Sequence, residues 1–188
     1  VDDTFSETGA MKISLGGIKF SEELVHVSHC VLSPSDRSFV DLIERIAEKR
    51  INMPFICAGA MRSTFCVAAA DFVFLEKLLD SHTQPSKQTC LKPPADPAVC
   101  DQLQITHRVG TLTLFPHRRS LVMLGQVVEI LGQAGIVIHS ICTSISAVAL
   151  NLDFHLLDLA VEVLEKIVEL PDNHAPFRPE FSVKQISL

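Results

Sequence analysis

Two passages of the chain carry the same order of apolar and polar positions. In the first, the apolar run over residues 24–32 reads as a strand. Phe39, Leu42, Ile43, Ile46 and Ala47 then recur at i, i+3, i+4, i+7 and i+8, one face of a helix. Ser38 stands where it would cap that helix, with Asp41 three residues on. Residues 51–58 and 64–70 read as two further strands around a turn containing Gly59. Asp71 opens a short helix that buries Leu75, Leu78 and Leu79. In the second passage, residues 109–115 form a strand, and Ser120 caps a helix carrying Leu121, Leu124, Val128 and Leu131. Gly135 suits the left-handed exit of that helix. Residues 136–142 and 147–152 make a hairpin. The closing helix buries Leu157, Ala160, Val161, Leu164 and Ile167 ahead of Pro171, and residues 181–188 read as a last strand.

The two passages overlay as a repeat. At a shift of 82, Pro34 falls on Pro116, Arg37 on Arg119, Ser38 on Ser120, Leu42 on Leu124, and Asp71-Phe72 on Asp153-Phe154. In the middle the shift grows to 85, setting Ile51 on Ile136, Ile56 on Ile141 and Cys57 on Cys142, and then returns to 82. The expected domains are residues 11–82 and 101–188. Residues 83–100 are expected to be a linker or loose loop, because Pro85, Pro93, Pro94 and Pro97 exclude a helix or a central strand. Strand, helix, strand, strand, helix, strand is the order of a ferredoxin-like α+β unit, with four antiparallel strands and two helices on one face. Alternation is weak in residues 65–70 and 136–141, which predicts strands buried on both faces. Two sheets joined side by side, or two chains packed together, would achieve that.

Composition narrows the function. The 188 residues, 47% hydrophobic, are enough for one large domain or two of roughly 80 residues. A net charge of -6 argues against a nucleic-acid binder, which needs clustered Lys and Arg for phosphates. No apolar run approaches the roughly 20 residues that span a bilayer. Residues 1–10 are acidic and polar, unlike a signal peptide, and the first methionine is Met11, so a fragment or an upstream extension is expected. Six cysteines without a CxxC pair, three of them in apolar stretches, fit a reduced, cytoplasmic protein. His26, His29 and Cys30 invite a metal reading, but on a strand His26 and Cys30 share one face and His29 takes the other. The same spacing separates His139 from Cys142, which removes a nucleophile-base pair. Gly16-Gly17 lacks the remainder of a phosphate loop. No catalytic residue, metal site or cofactor is therefore predicted.

The run Gly135-Ile136-Val137-Ile138-His139-Ser140-Ile141-Cys142-Thr143-Ser144-Ile145, with Leu159-Ala160-Val161-Glu162-Val163-Leu164 after it, resembles the last ACT repeat of aspartokinases. Gly17-Ile18-Lys19-Phe20-Ser21-Glu22-Glu23-Leu24-Val25-His26-Val27 resembles the start of the first. The resemblance implies a non-catalytic regulatory protein, or a regulatory fragment, that binds a small amino-acid effector at the interface between ACT-like units. It also implies a homodimer through ACT-like sheets. In that family one unit is assembled from distant segments, so residues 17–20 and 181–188 would share a sheet. The first copy would take its last strand from residues 101–107 or from the N-terminal segment. The family's Pro-Gly turn before the first helix is absent; the loops read Ser35-Asp36-Arg37-Ser38 and His117-Arg118-Arg119-Ser120. A helix N-terminus still offers unpaired N–H groups, and Arg37 and Arg119 add a fork for a carboxylate. The expected effector contacts are Asp36, Arg37, Ser38 and Phe39 with Asn52 and Met53 opposite. A second set is Arg118, Arg119, Ser120 and Leu121 with Val137 and Ile138. The competing expectation is an assembly module of the same fold that has lost the effector.

Overall fold

A computed structural model of the chain describes residues 12–30, 37–59, 61–82, 103–116, 121–172 and 174–178. In chain order the elements are β1 (Ile13–Ser14), β2 (Gly17–Phe20), β3 (Leu24–Cys30), α1 (Ser38–Glu48), β4 (Phe55–Cys57) and β5 (Arg62–Ala68). A 3-10 turn (Ala69–Asp71) leads into α2 (Phe72–His82). There follow β6 (Leu103–Phe115), α3 (Leu121–Gln133), β7 (Ser140–Thr143) and β8 (Val148–Asp153), then a second 3-10 turn (Phe154–Leu156), α4 (Leu157–Leu164) and β9 (Val168–Glu169). No helix among the described residues is long and apolar enough to cross a membrane.

The chain divides into a central unit, Leu24–His107, and a split unit made of Val1–Glu23 and Arg108–Leu188. This differs from the boundaries expected at 82 and 101. β2 joins the second half of the chain, pairing antiparallel with β6 from Gly17↔Phe115 to Phe20↔Leu112. The linker expected at 83–100 and the strand at 181–188 lie outside the described residues. β2 does have a later neighbour, however: Phe177 donates its N–H to Ile18 O and accepts from Phe20 N. The division falls inside β6, at Arg108, whose φ of 57° is left-handed.

In the central unit the sheet order is β4-β5-β3, with β6 arriving beside β3. Of the two sources left open for this strand, the chain uses residues just before the split unit. The apolar stripe of α1 drives Leu42 and Ile46 onto Val25, Val27, Phe65 and Val67 of the sheet, and α2 adds Phe72, Leu75 and Leu79 to the same core. The split unit repeats the plan. β8 lies between β6 and β7, and Leu112, Leu114, Leu150 and Leu152 meet Met123, Val127 and Leu131 of α3 and Leu157, Ala160 and Leu164 of α4. Ile18 and Phe20 of β2 close the core.

The two units correspond at one constant shift of 85. Leu24↔Ala68 in the β3–β5 ladder recurs as Val109↔Asp153 in β6–β8, and Phe55↔Cys66 recurs as Ser140↔Asn151. Buried Leu42, Ile46, Ile51, Phe65, Phe72 and Leu75 correspond to buried Val127, Leu131, Ile136, Leu150, Leu157 and Ala160. The shift of 82 expected at both ends therefore does not hold. Leu42 answers to Val127 rather than Leu124, and Phe72 to Leu157 rather than Phe154.

Other local expectations change for identifiable reasons. The strand expected at 51–58 shrinks to β4, because Pro54 has no N–H to give a ladder. That expected at 136–142 shrinks to β7, with His139 just before it giving a sheet-like bond, N–H to Asn151 O at 2.8 Å. Ser38 is not the cap of α1: Arg37 occupies that position and makes no side-chain capping bond, while Ser38 is already helical. Ser120 lies outside the described residues. Burial on both faces holds at Phe65, Cys66 and Val67 but fails at exposed Ala69 and Ala70, and at Val137, which is 59% exposed. β3, for which it was not expected, is buried along its whole length. Gly135 takes the left-handed exit with φ 73°.

Candidate functional site

Three predicted contacts, Arg37, Ser38 and Phe39, gather at the start of α1. Arg37 Nε lies 3.6 Å from the Asp41 carboxylate, one helical turn along, and both side chains are exposed. Asp41 thus competes for the guanidinium that was expected to fork an effector carboxylate. Ser38 Oγ lies 3.2 Å from Nε2 of His29, a ring buried on the helix-facing side of β3. The Phe39 ring sits between that histidine, at 5.9 Å, and Phe65, at 6.2 Å between centroids. Phe39 and Met53 are both half-buried against the central core, whereas Asn52 is exposed. Asp36 lies outside the described residues. The structure therefore brings Phe39 and Met53 to the margin of one core and leaves Asn52 in solvent.

The second set is less complete. Arg118, Arg119 and Ser120 lie outside the described residues. Leu121 begins α3, Val137 is exposed, and Ile138 is half-buried against the split-unit core.

Sequence reasoning missed a polar chain across the split-unit sheet. Thr111 Oγ1 donates to Asn151 Oδ1 at 2.6 Å, and Asn151 Nδ2 donates to Ser140 Oγ at 2.8 Å. His139 Nε2 lies 3.0 Å from Asp153 Oδ1. Asn151 is fully buried, so its amide bonds pin the register of three neighbouring strands. The available signal was an asparagine inside the apolar run Val148-Ala149-Leu150-Asn151-Leu152. At the corresponding place the central unit has Cys66, whose thiol burial pushes up to about 12. A thiol held protonated at neutral pH is no nucleophile.

Each unit also carries a cavity. That of the split unit, about 500 Å³, is lined by Glu22, Glu23, Arg108 and Phe154 among others; Arg178 at its rim lies 4.8 Å over the Phe20 ring and pairs with Asp158. That of the central unit, about 600 Å³, lies between the end of α1 and α2. Neither is lined by a predicted effector contact.

No family model matches the sequence, and a comparison with curated proteins finds no match. Solved structures do match. The aspartokinase alpha and beta subunits superpose with a TM-score of 0.64 at 18% identity, over 81% of this chain and 97% of that one. The regulatory subunit of aspartate kinase from Thermus flavus gives 0.62 at 11% identity, over 82% and 99%. This chain shares the fold of aspartokinase regulatory regions. The E. coli aspartokinase III crystallised with lysine and aspartate gives 0.58 at 11% identity, over 82% of this chain and 33% of that one. Within this fold, Arg37, Ser38 and Phe39 of the predicted first set sit at the entrance to the first helix of the central unit. The polar chain through Asn151 sits in the sheet of the split unit.

Proposed function

We propose that this chain is a non-catalytic regulatory protein, or the regulatory part of an aspartokinase-like enzyme. In this reading each unit is a ferredoxin-like ACT repeat. A small amino acid binds at an interface between ACT-like units and favours one packing arrangement by its differential affinity. Asp36, Arg37, Ser38 and Phe39 with Asn52 and Met53 form the main contact set. Arg118, Arg119, Ser120, Leu121, Val137 and Ile138 form a weaker one. A homodimer and a cytoplasmic location belong to the same proposal. The observation that supports it is the fold likeness to separate regulatory subunits over nearly their whole length. Lysine and aspartate are the first ligands to try, since a protein of similar fold was crystallised with both.

The test is a dye-based thermal-shift screen of the twenty amino acids, the chain having no Trp or Tyr to report by itself. An effector at a hundred times its dissociation constant adds roughly 2.7 kcal/mol. No shift with any amino acid removes the effector from the proposal.

The second reading is an assembly module of the same fold. It is favoured by the engagement of the first set within the unit itself: Arg37 beside Asp41, Ser38 beside His29, Phe39 against His29 and Phe65. Size-exclusion profiles separate the readings. An assembly module elutes identically with and without amino acids, whereas an effector-linked one shifts.

A further inference from the structure

The central-unit cavity has a charge that its structural surroundings explain only in part. Lys49, Arg50 and Lys77 line it against a single carboxylate, Asp71. None of the three cations forms an ion pair among the described residues. Buried Ile51 and Leu78 make its floor, and the Phe74 ring, 60% exposed, stands beside them.

The other unit supplies an internal control. At the shift of 85, Lys49, Arg50 and Lys77 become Ala134, Gly135 and Glu162. The backbone there is the same. Ile51 N–H reaches Ile46 O at 3.2 Å and Arg50 N–H reaches Ala47 O at 2.9 Å; the split unit repeats both bonds from Ile136 to Leu131 and from Gly135 to Gly132. The turn requires a left-handed residue in both units, with φ 56° at Arg50 and 73° at Gly135. Glycine takes that conformation without strain, and arginine does not. The central unit therefore retains an unfavourable backbone residue whose side chain lines the cavity. Favourable interaction with the C-terminal dipole of α1 accounts for Lys49 and Arg50, but not for Lys77, which comes from α2.

We propose that this cavity binds a free nucleoside monophosphate or an organic phosphate of that size. Lys49, Arg50 and Lys77 receive the phosphoryl group, which carries close to two charges and three acceptor oxygens for one guanidinium fork and two ammonium groups. Phe74 stacks on the planar base. Asp71 accepts a hydrogen bond from a ligand hydroxyl or amino group and disfavours a second anionic end. The volume of about 600 Å³ falls in the range of small-ligand sites. The overall charge of -6 disfavours a polynucleotide in the same place. This proposal is independent of the amino-acid effector reading.

Isothermal titration of the full chain with AMP, adenosine and inorganic phosphate tests it. AMP is expected to bind saturably, and adenosine and phosphate each at least about tenfold more weakly. Arg50→Gly and Lys77→Glu copy residues that the other unit already folds with, and each is expected to weaken AMP about tenfold or more. Phe74→Leu, copying Leu159, is expected to remove the preference for AMP over phosphate. No saturable AMP binding up to about 10 mM, equal binding of adenosine or phosphate, or AMP affinity unchanged in Arg50→Gly and Lys77→Glu overturns the proposal.

Discussion

Replacing Gly110 by valine gives β6 the residue that β3 carries at the corresponding position, Val25, yet the outcome is expected to be destabilising. A Cβ at Gly110 meets Leu157 Cδ1 at 2.6 Å, Phe154 Cδ2 at 2.9 Å and Leu157 Cγ at 3.3 Å. Relaxed carbon contacts lie near 3.5–4.0 Å, so two side chains must move by roughly half an ångström to one ångström. In the central unit Ala69 stands where the split unit has Phe154, so one of the two opposing side chains is absent there. Overpacking of this kind costs about 1–3 kcal/mol. Losing a glycine from the unfolded chain gives back about 0.4–1 kcal/mol. The net expectation is about 1–2 kcal/mol for Gly110→Val, or a fall in Tm of roughly 4–16 °C for a unit of this size. Half-buried Phe154→Ala alone is expected to cost about 1–2 kcal/mol, less than a fully buried Phe. The decisive quantity is the coupling between them. Removing the ring relieves the 2.9 Å contact and opens space into which Leu157 can shift, so the double variant should be at least about 1 kcal/mol more stable than the single effects add up to. Thermal unfolding followed by far-UV circular dichroism on all four proteins measures this. A cycle additive within about 0.3 kcal/mol, or a neutral Gly110→Val, would refute the proposed equivalence of β3 with β6 and its size exchange.

Three shorter predictions follow from the same packing. Asn151→Ala removes the buried amide's bonds to the Thr111 and Ser140 hydroxyls and should cost about 2–3 kcal/mol in urea denaturation, whereas a cost below about 0.5 kcal/mol would mean that water replaces the amide. Cys66 should resist iodoacetamide at pH 8 in the folded protein while half-buried Cys57 and Cys142 react. Its folded-state pKa is raised by burial to about 12, so the stability linked to its protonated form is full below about pH 9 and lost as pH climbs towards 12. A thiol titration showing Cys66 alkylated first would contradict this. Ser38→Ala should lower stability by about 1 kcal/mol through the lost contact with His29, without reducing helix content. A clear loss of helical ellipticity would instead restore the capping role.

What the sequence made legible was whatever depended on period and on special backbone residues. The α1 stripe, the glycine exit at Gly135 and the two hairpins all follow from local letters. The placement of β2 did not, since pairing of residues 17–20 with 112–115 is a long-range event that no local pattern encodes. The length of β6 was hidden by His107 and Arg108, which interrupt the apolar alternation before Val109. Asn151 was readable as a lone polar residue in an apolar run, but its partners Thr111 and Ser140 emerge only from the register. The cations of the central cavity come from the end of α1 and from α2, and only the topology sets Lys77 beside Lys49 and Arg50.

The repeat shift shows most sharply why identity of letters misleads. Matches at 82, such as Ser38 with Ser120 and Arg37 with Arg119, suggested an effector site and a weaker counterpart in the second copy. Burial and ladder register place the correspondence at 85, where Ser38, His29 and Phe39 answer to Met123, Leu114 and Leu124. Met123 and Leu114 are fully buried in the split-unit core, so that unit cannot reproduce the hydroxyl–imidazole contact at its own first helix. If an amino acid binds through the first set, the second set must use different chemistry and hold it with a different affinity. Calorimetric titration of the effector is therefore expected to give one tight site per chain, with any second site separated from it by about tenfold or more in dissociation constant. An isotherm with two equal sites per chain would show that the units present matching surfaces after all, and that the correspondence at 85 does not govern the binding face.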